Sequence, residues 1–237
     1  MSMVKVTFDK HALVGTCLRL PLTIDLRRLS SEIQSIPREL WGDQRANVHD
    51  ATDAVFVKGY PPVQRKPDED RPILQHLPYL RGIIYELLPG VPGKCVIASL
   101  RPNSLVLMHR DGHLENPSID NNFNGYFSTT LRVHIPITTN DKVLFFCNGE
   151  FFHMPVGEVW TVNNLSDHAV INDHPTEART HVIFDIYPNE ETLELAGGSE
   201  RVKGWKNREA LARLMQTSES PLVSPYARGK PLPVQYS

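Results

Sequence analysis

Arg179-Thr180-His181-Val182-Ile183-Phe184-Asp185 alternates polar and apolar residues over most of its length. Side chains of a strand point to opposite faces with a period of two. Read that way, Arg179, His181, Ile183 and Asp185 share one face, and Val182 and Phe184 the other. Leu131-Arg132-Val133-His134-Ile135-Pro136-Ile137 repeats the pattern, with Arg132 and His134 together. Around these two stretches lie further short runs rich in Val, Ile, Leu and Phe. They cover 94–101, 104–109, 130–138, 142–147, 151–154, 158–162, 168–171 and 179–187. Turn residues separate several of them: Pro102-Asn103, Asn140-Asp141 and Asn148-Gly149. Short strands at this spacing predict an antiparallel barrel or a double-sheet jelly roll. The expected fold is mostly β with flanking helices, a cupin-like double-stranded β-helix.

Upstream the texture is mixed. Residues 17–24 read as an edge or interrupted strand, because Pro21 cannot donate to a ladder. Asp25 can cap a helix carrying Leu26, Leu29, Ile33 and Ile36 at helical spacing, with Pro37 near its end. Residues 53–59 read as a strand and 60–70 as a Pro-rich charged surface loop. The pattern predicts a helix over 71–88, with Pro72 in its first turn and Pro78 kinking or splitting it. Pro89-Gly90 and Pro92-Gly93 stop it. Downstream, Asn207 can cap a helix through Met215, and the last twenty residues are Pro-rich and extended. The expected organisation is an N-terminal α/β elaboration (1–93), a jelly-roll core (94–188), and a C-terminal helix and tail (189–237), working as one unit.

Composition narrows the function classes. The 237 residues suffice for a substantial core, burying roughly 70–75% of the unfolded surface. A net charge of −2 gives no electrostatic case for nucleic acid or an anionic membrane. Cys17, Cys95 and Cys147 are scattered, without CxxC spacing, and read as buried thiols in a reducing compartment. No signal peptide and no run of about 18 apolar residues stand out, so the cytoplasm is the expected location.

The site chemistry starts at His109-Arg110-Asp111. Two residues apart on a strand, His109 and Asp111 point the same way, inward if Leu107 does. A later strand can add a third ligand, and His168 is the choice because it begins an apolar run after the polar turn 163–167. Two imidazoles and one carboxylate are the facial-triad set of non-haem Fe(II) oxygenases, which leaves open coordination positions. The plain alternative is a solvated His-x-Asp loop. An inward Arg179 would be a costly buried charge unless an anion met it. A co-substrate carboxylate can do so in a bidentate pair, and so can an internal Asp or Glu. Arg132 presents the same choice, with a second anion on the substrate, and His134 can donate to a carboxylate oxygen. His181 is the rival for the distal ligand, and His113 and His153 fit no triad.

Taken together, His109-x-Asp111, Arg132-x-His134, Gly157-Glu158-Val159-Trp160, His168 and Arg179-x-His181 with Ile183-Phe184-Asp185 resemble the aspartyl/asparaginyl β-hydroxylase family, which includes bacterial proline hydroxylases. They cover roughly a third of the chain, in the family's order. The resemblance implies an Fe(II)/2-oxoglutarate-dependent dioxygenase that consumes O2 and releases succinate and CO2. It implies Fe(II) on His109, Asp111 and His168, and 2-oxoglutarate on Arg179 with help from Ser99 and His134. Arg132 would meet the co-substrate or a substrate carboxylate, and His113 and Asn164 would contact substrate. Asp111 favours hydroxylation over halogenation, which would need its position vacant. Asn163-Asn164 departs from the acidic residues frequent in relatives, so the contacts behind the ligands should differ. The polar stretch 112–129 reads as a lid or substrate loop. The expected substrate is a free amino acid or small carboxylated metabolite. The alternatives are an Asp or Asn side chain of a protein, or a metal- or sugar-binding jelly roll with no oxygenase activity.

Overall fold

The computed structural model describes residues 6–42, 49–59, 68–111 and 121–219, the side chains of 121–124, 218 and 219 excepted. Its strands are β1 (Cys17–Leu20), β2 (Thr52–Lys58), β3 (Gly90–Leu100), β4 (Ser104–His109), β5 (Leu131–Thr138), β6 (Val143–Cys147), β7 (Glu150–Phe152), β8 (Val159–Val162), β9 (His168–Asn172), β10 (Arg179–Pro188) and β11 (Glu200–Arg201). They form two antiparallel sheets, β11-β1-β8-β5-β10-β3-β2 and β4-β9-β6-β7. This is the expected double-sheet jelly roll, and β1 and β2 bring the N-terminal part into its larger sheet.

The pattern of side chains decides which face goes where. Leu100, Phe145, Phe152, Trp160, Val162 and Val170 fill the space between the sheets. On the outer face of the large sheet, Val133, Ile135, Val182 and Phe184 pack against two helices, α2 (Leu26–Gln34) and α3 (Pro78–Glu86). Those helices contribute Leu29, Ile33, Leu80 and Ile84. Each such side chain contributes about 1.5–3 kcal/mol by leaving water. Helix α6 (Arg208–Glu219) covers the small sheet with Ala210 and Leu214, against Phe146, Phe151, Ala169 and Ile171. Among the described residues no helix is long and apolar enough to cross a membrane. All three cysteines are buried and free.

Turn chemistry sets the hairpins. Asn148 (φ 47°) and Gly149 (φ 82°) take the two left-handed positions of the β6–β7 turn, as a two-residue Asn-Gly hairpin requires. Asn103 (φ 47°) does similar work between β3 and β4. Proline shapes the other boundaries. Pro78 splits the expected 71–88 helix into a 3-10 turn (Pro72–His76) and α3, whose first position needs no N–H. Strand β1 ends at Leu20, just before Pro21. Contrary to expectation, Gly90, Pro92 and Gly93 are not only a helix stop; they lie within β3, which bulges there. Three helices lacked an expectation: α1 (Lys10–Val14), α4 (Asn121–Thr129) and α5 (Glu190–Gly197). Helix α4 occupies part of the stretch expected as a loop. Residues 112–120, including His113, lie outside the described residues, as do 60–67 of the Pro-rich loop and the tail from 220.

Helix α3 has no side-chain cap of its own. Glu32 of α2 supplies one, its two carboxylate oxygens accepting from the backbone N–H groups of Tyr79 (2.8 Å) and Leu80 (2.9 Å). An anion there satisfies two orphan donors and meets the positive end of the helix dipole. Replacing Glu32 by Ala is expected to lower stability by about 1–2 kcal/mol with an unchanged m-value in urea. An unshifted midpoint would contradict this capping role.

Candidate metal centre

A bulge sets the first ligand. Along β4, Leu105 pairs with Ile171, which faces α6, and Val106 pairs with Val170, which faces the core. Simple alternation would put His109 on the α6 face with Leu105. Instead the register shifts between Val106 and His109, so that His109 pairs with His168 on the core side. One extra residue in a strand turns every later side chain over. The expected inward run of Leu107, His109 and Asp111 is therefore corrected: Val106 and His109 share the inner face across the bulge.

The bulge also orients the ring. Nδ1 of His109 donates to the carbonyl oxygen of Leu107, inside the bulge, at 2.7 Å. Nδ1 of His168 donates to the Ser166 carbonyl at 3.0 Å. A carbonyl only accepts, so each ring carries its proton on Nδ1 and has its Nε2 lone pair available as a ligand. The two ring centroids are 4.1 Å apart. Asp111 completes the group: Oδ1 is 3.9 Å from Nε2 of His109. One ligand atom from each of the three lies within 4.8 Å of the others. Both the donor set and the second hydrogen bond behind each imidazole fit a divalent metal with open positions. At the mouth, Arg110 makes a two-bond ion pair with Asp167 (2.6 and 2.9 Å), joining the segments that carry the ligands.

Behind Asp111 sits Arg132. Its Nε and Nη2 bond the two oxygens of Asp185 at 2.8 and 2.9 Å, and its Nη1 donates to Oδ2 of Asp111. All three nitrogens of the guanidinium therefore meet carboxylates of the chain itself. This replaces the expected role for Arg132, an anion on a co-substrate or substrate, with the internal pairing that was its alternative. Burial opposes ionisation of Asp111, but the charge of Arg132 outweighs it, aided by His168 and His109 when they are protonated and by Lys94, and holds the carboxyl well below the usual range. Asp185 is held down by the same competition, burial against Arg132. Asp111 is thus held in the deprotonated form that metal ligation requires.

Strand pairing then lays out the rest of the inner face. Asp185 pairs with Arg132, Ile183 with His134 and His181 with Pro136. Arg179 lies beyond His181, buried, and its Nη2 donates to Nδ1 of His181 at 2.8 Å. Burial, and next the Arg179 charge, push the His181 imidazolium well below its ordinary range, so the ring is a neutral acceptor. His134 meets it edge to face at 5.7 Å. His181 is therefore a partner of Arg179, and the triad is formed with His168.

Two other expectations are corrected. Ser99 pairs with Thr180, and their hydroxyls bond at 2.9 Å on the face opposite Arg179; Val96 and Ala98 are the β3 residues packed with inward Ile183. Asn164 is fully buried, and its Nδ2 donates to Oδ2 of Asp111 at 2.8 Å, so it contacts a ligand rather than substrate. Three further residues reach the site without having been singled out. Lys94, at the β3 bulge, sets its Nζ 3.9 Å from Asp185 and 4.5 Å from the Phe127 ring centroid. The His49 ring stands edge-on to His109 at 4.9 Å. Lys10 lies behind Asn164. Only long-range packing brings them there; the inward positions of Arg132, Arg179 and Asp185 were the readable hints of a buried charge network.

A model of the aspartyl/asparaginyl beta-hydroxylase family matches residues 64–188. No curated protein matches the chain in sequence. Among solved structures, an oxidoreductase of the 2OG-Fe(II) oxygenase family from Burkholderia pseudomallei aligns with a TM-score of 0.52 at 15% identity, over 77% of this chain and 90% of its own. HygX from Streptomyces hygroscopicus, with nickel and 2-oxoglutarate bound, aligns at 0.48 and 10% identity, over 76% and 85%. A prolyl hydroxylase from Trichoplax adhaerens, in complex with a hypoxia inducible factor peptide fragment, aligns at 0.47 and 10% identity, over 81% and 90%. The first of these likenesses shows the shared fold.

Removing one partner of a buried pair leaves an uncompensated charge. Asp185→Asn is therefore expected to cost about 3–5 kcal/mol, read by urea unfolding at pH 7. A loss under about 1 kcal/mol would mean that Arg132 does not depend on Asp185. The pH dependence has a definite sign. Carboxyls depressed in the fold stabilise it above their unfolded pKa, and that stability drains as pH falls through the folded values. The wild type should lose stability steeply below about pH 4, and Asp185→Asn less steeply. Parallel acid limbs would contradict the assignment.

Proposed function

The chain belongs to the aspartyl/asparaginyl β-hydroxylase family, a family of 2-oxoglutarate-dependent oxygenases, and we propose that it hydroxylates a C–H bond of a free amino acid or another small carboxylated metabolite. The observation that carries the reading is the convergence of His109, Asp111 and His168 on one point of the inner face that also holds Arg179. In this reading those three residues hold Fe(II). With 2-oxoglutarate bound, the metal supplies O2 activation coupled to decarboxylation, yielding succinate, CO2 and the hydroxylated substrate.

The chain's own residues do the rest. The Leu107 and Ser166 carbonyls keep both imidazoles in the ligating tautomer. Arg132 keeps Asp111 ionised. Arg179 receives the distal carboxylate of 2-oxoglutarate, its guanidinium steadied by neutral His181, and His134 lines the path between. Burial of these groups excludes water from the reacting region.

Charge supports a carboxylated substrate. Arg132 and Lys94 balance Asp111 and Asp185. A divalent metal and Arg179 then add three positive charges, and a 2-oxoglutarate dianion removes two. The remainder, together with the Lys10 amine when it is protonated, is an excess of positive charge that a substrate carboxylate offsets. The family description favours a second reading, an aspartyl or asparaginyl side chain of a protein.

Succinate release separates the two. Turnover should require Fe(II), and free amino acids should stimulate it, with Arg179→Gln raising the KM for 2-oxoglutarate about 10–100-fold through loss of a charged hydrogen-bonding partner. Turnover of Asp- or Asn-containing peptides with none of any free amino acid would install the second reading.

A further inference from the structure

Lysine on a five-residue helix would ordinarily reach solvent. Lys10, in α1, is only 2% exposed. Its Nζ donates to the carbonyl oxygen of Phe127, in α4, at 2.7 Å and to Oδ1 of Asn164 at 2.8 Å. Burial pushes its pKa down to about 7, Asp185 and Asp111 pulling up and Arg132 pulling further down. The amine therefore lies close enough to Asp185, Arg132 and Asp111 to feel their charges.

Its partner Asn164 has one workable orientation. Oδ1 accepts from Lys10, and Nδ2 donates to Oδ2 of Asp111 at 2.8 Å. A flipped amide would set an NH2 against the ammonium and an oxygen against the carboxylate. With Asn164 and Arg132 both on Oδ2, Oδ1 is the oxygen facing Nε2 of His109. The helix itself is pinned at the same place. Asp9 caps it, and the neighbouring Asn163 donates to Nδ1 of His11 and to the Gly15 carbonyl, each at 2.9 Å. Adjacent asparagines thus bind adjacent residues of α1.

We propose that Lys10 is a positioning residue for the metal centre: through the Asn164 amide it sets which oxygen of Asp111 faces the metal, and through the Phe127 carbonyl it fastens α4 to the same point. This rests on the reading of Asp111 as a ligand. An amide at 164 suits the relay because it donates on one side and accepts on the other; a carboxylate there would face Asp111 with like charge.

Co(II) binding to the full chain, followed by its visible spectrum, tests the relay without turnover. Lys10→Met and Asn164→Ala are each expected to weaken Co(II) binding about 10–100-fold, as outer-shell contacts do, and to shift the ligand-field bands. The double variant should be no weaker than the worse single one, because both substitutions break one chain of bonds. Multiplying losses would overturn the relay. So would a Lys10→Met protein that melts earlier yet binds Co(II) with wild-type affinity and spectrum, the mark of a merely structural lysine. If Lys10→Met does not fold, Lys10→Gln, which keeps an N–H donor and removes the charge, takes its place in the cycle. Asp111→Ala separates the ligand from the relay behind it. If it binds Co(II) as the wild type does, the metal-centre reading itself falls; if it binds none while Lys10→Met binds normally, only the positioning role of Lys10 falls.

Discussion

One buried guanidinium holds the interior of this jelly roll in its working charge state. Arg132 lies between Asp111 and Asp185 and leaves neither carboxylate alone in a low-dielectric space. Such a cluster is a poor source of stability, because desolvating its members costs about what their attraction returns. Its value is in what it fixes. Asp111 is kept ionised, one of its oxygens is occupied, and the other is presented beside His109. Lys94 and Lys10 extend the cluster to α4 and α1, so that segments far apart in the chain meet at one electrostatic centre.

The sheet supplies the geometry that charge cannot. Two strand irregularities aim side chains that plain alternation would send elsewhere. The β4 bulge returns His109 to the inner face and offers the Leu107 carbonyl to its ring. The β3 bulge, opposite Asp185, carries Lys94 to the same site. A bulge bends its strand and re-aims the side chains beyond it, which explains why both lie next to functional groups. Between them β5 and β10, whose pairing is in register from His181 to Ile186, stack Arg132, His134, Arg179, His181 and Asp185 along one face, while their apolar faces hold α2 and α3.

Much of this was legible in the sequence, and the reason is periodicity. Val182 and Phe184 facing one way, and Arg179 with His181 facing the other, follow from the pleat alone, as do most strand boundaries at Asn-Gly, Asn-Asp and proline. That His109, Asp111 and His168 converge was readable from residue types and spacing, and the family from the set of motifs together. What was not legible depends on contacts across the fold. His109 faces inward by way of a bulge that no local pattern announces. Ser99 falls on the wrong face once its partner is Thr180. Arg132 looked like an anion receptor because its partner, Asp185, lies 53 residues away. Lys10 and Asn164, 154 residues apart, carry no local sign that they meet.

The central claim is that His109, Asp111 and His168 hold iron with positions open for 2-oxoglutarate. An anaerobic titration of the Fe(II) protein with 2-oxoglutarate, followed in the visible, addresses it directly. Iron on this triad predicts a metal-to-ligand charge-transfer band that grows to saturation in the wild type and fails to form in Asp111→Ala. An Fe(II)-loaded wild type that binds 2-oxoglutarate with no such band, or an Asp111→Ala protein that develops it unchanged, would contradict it.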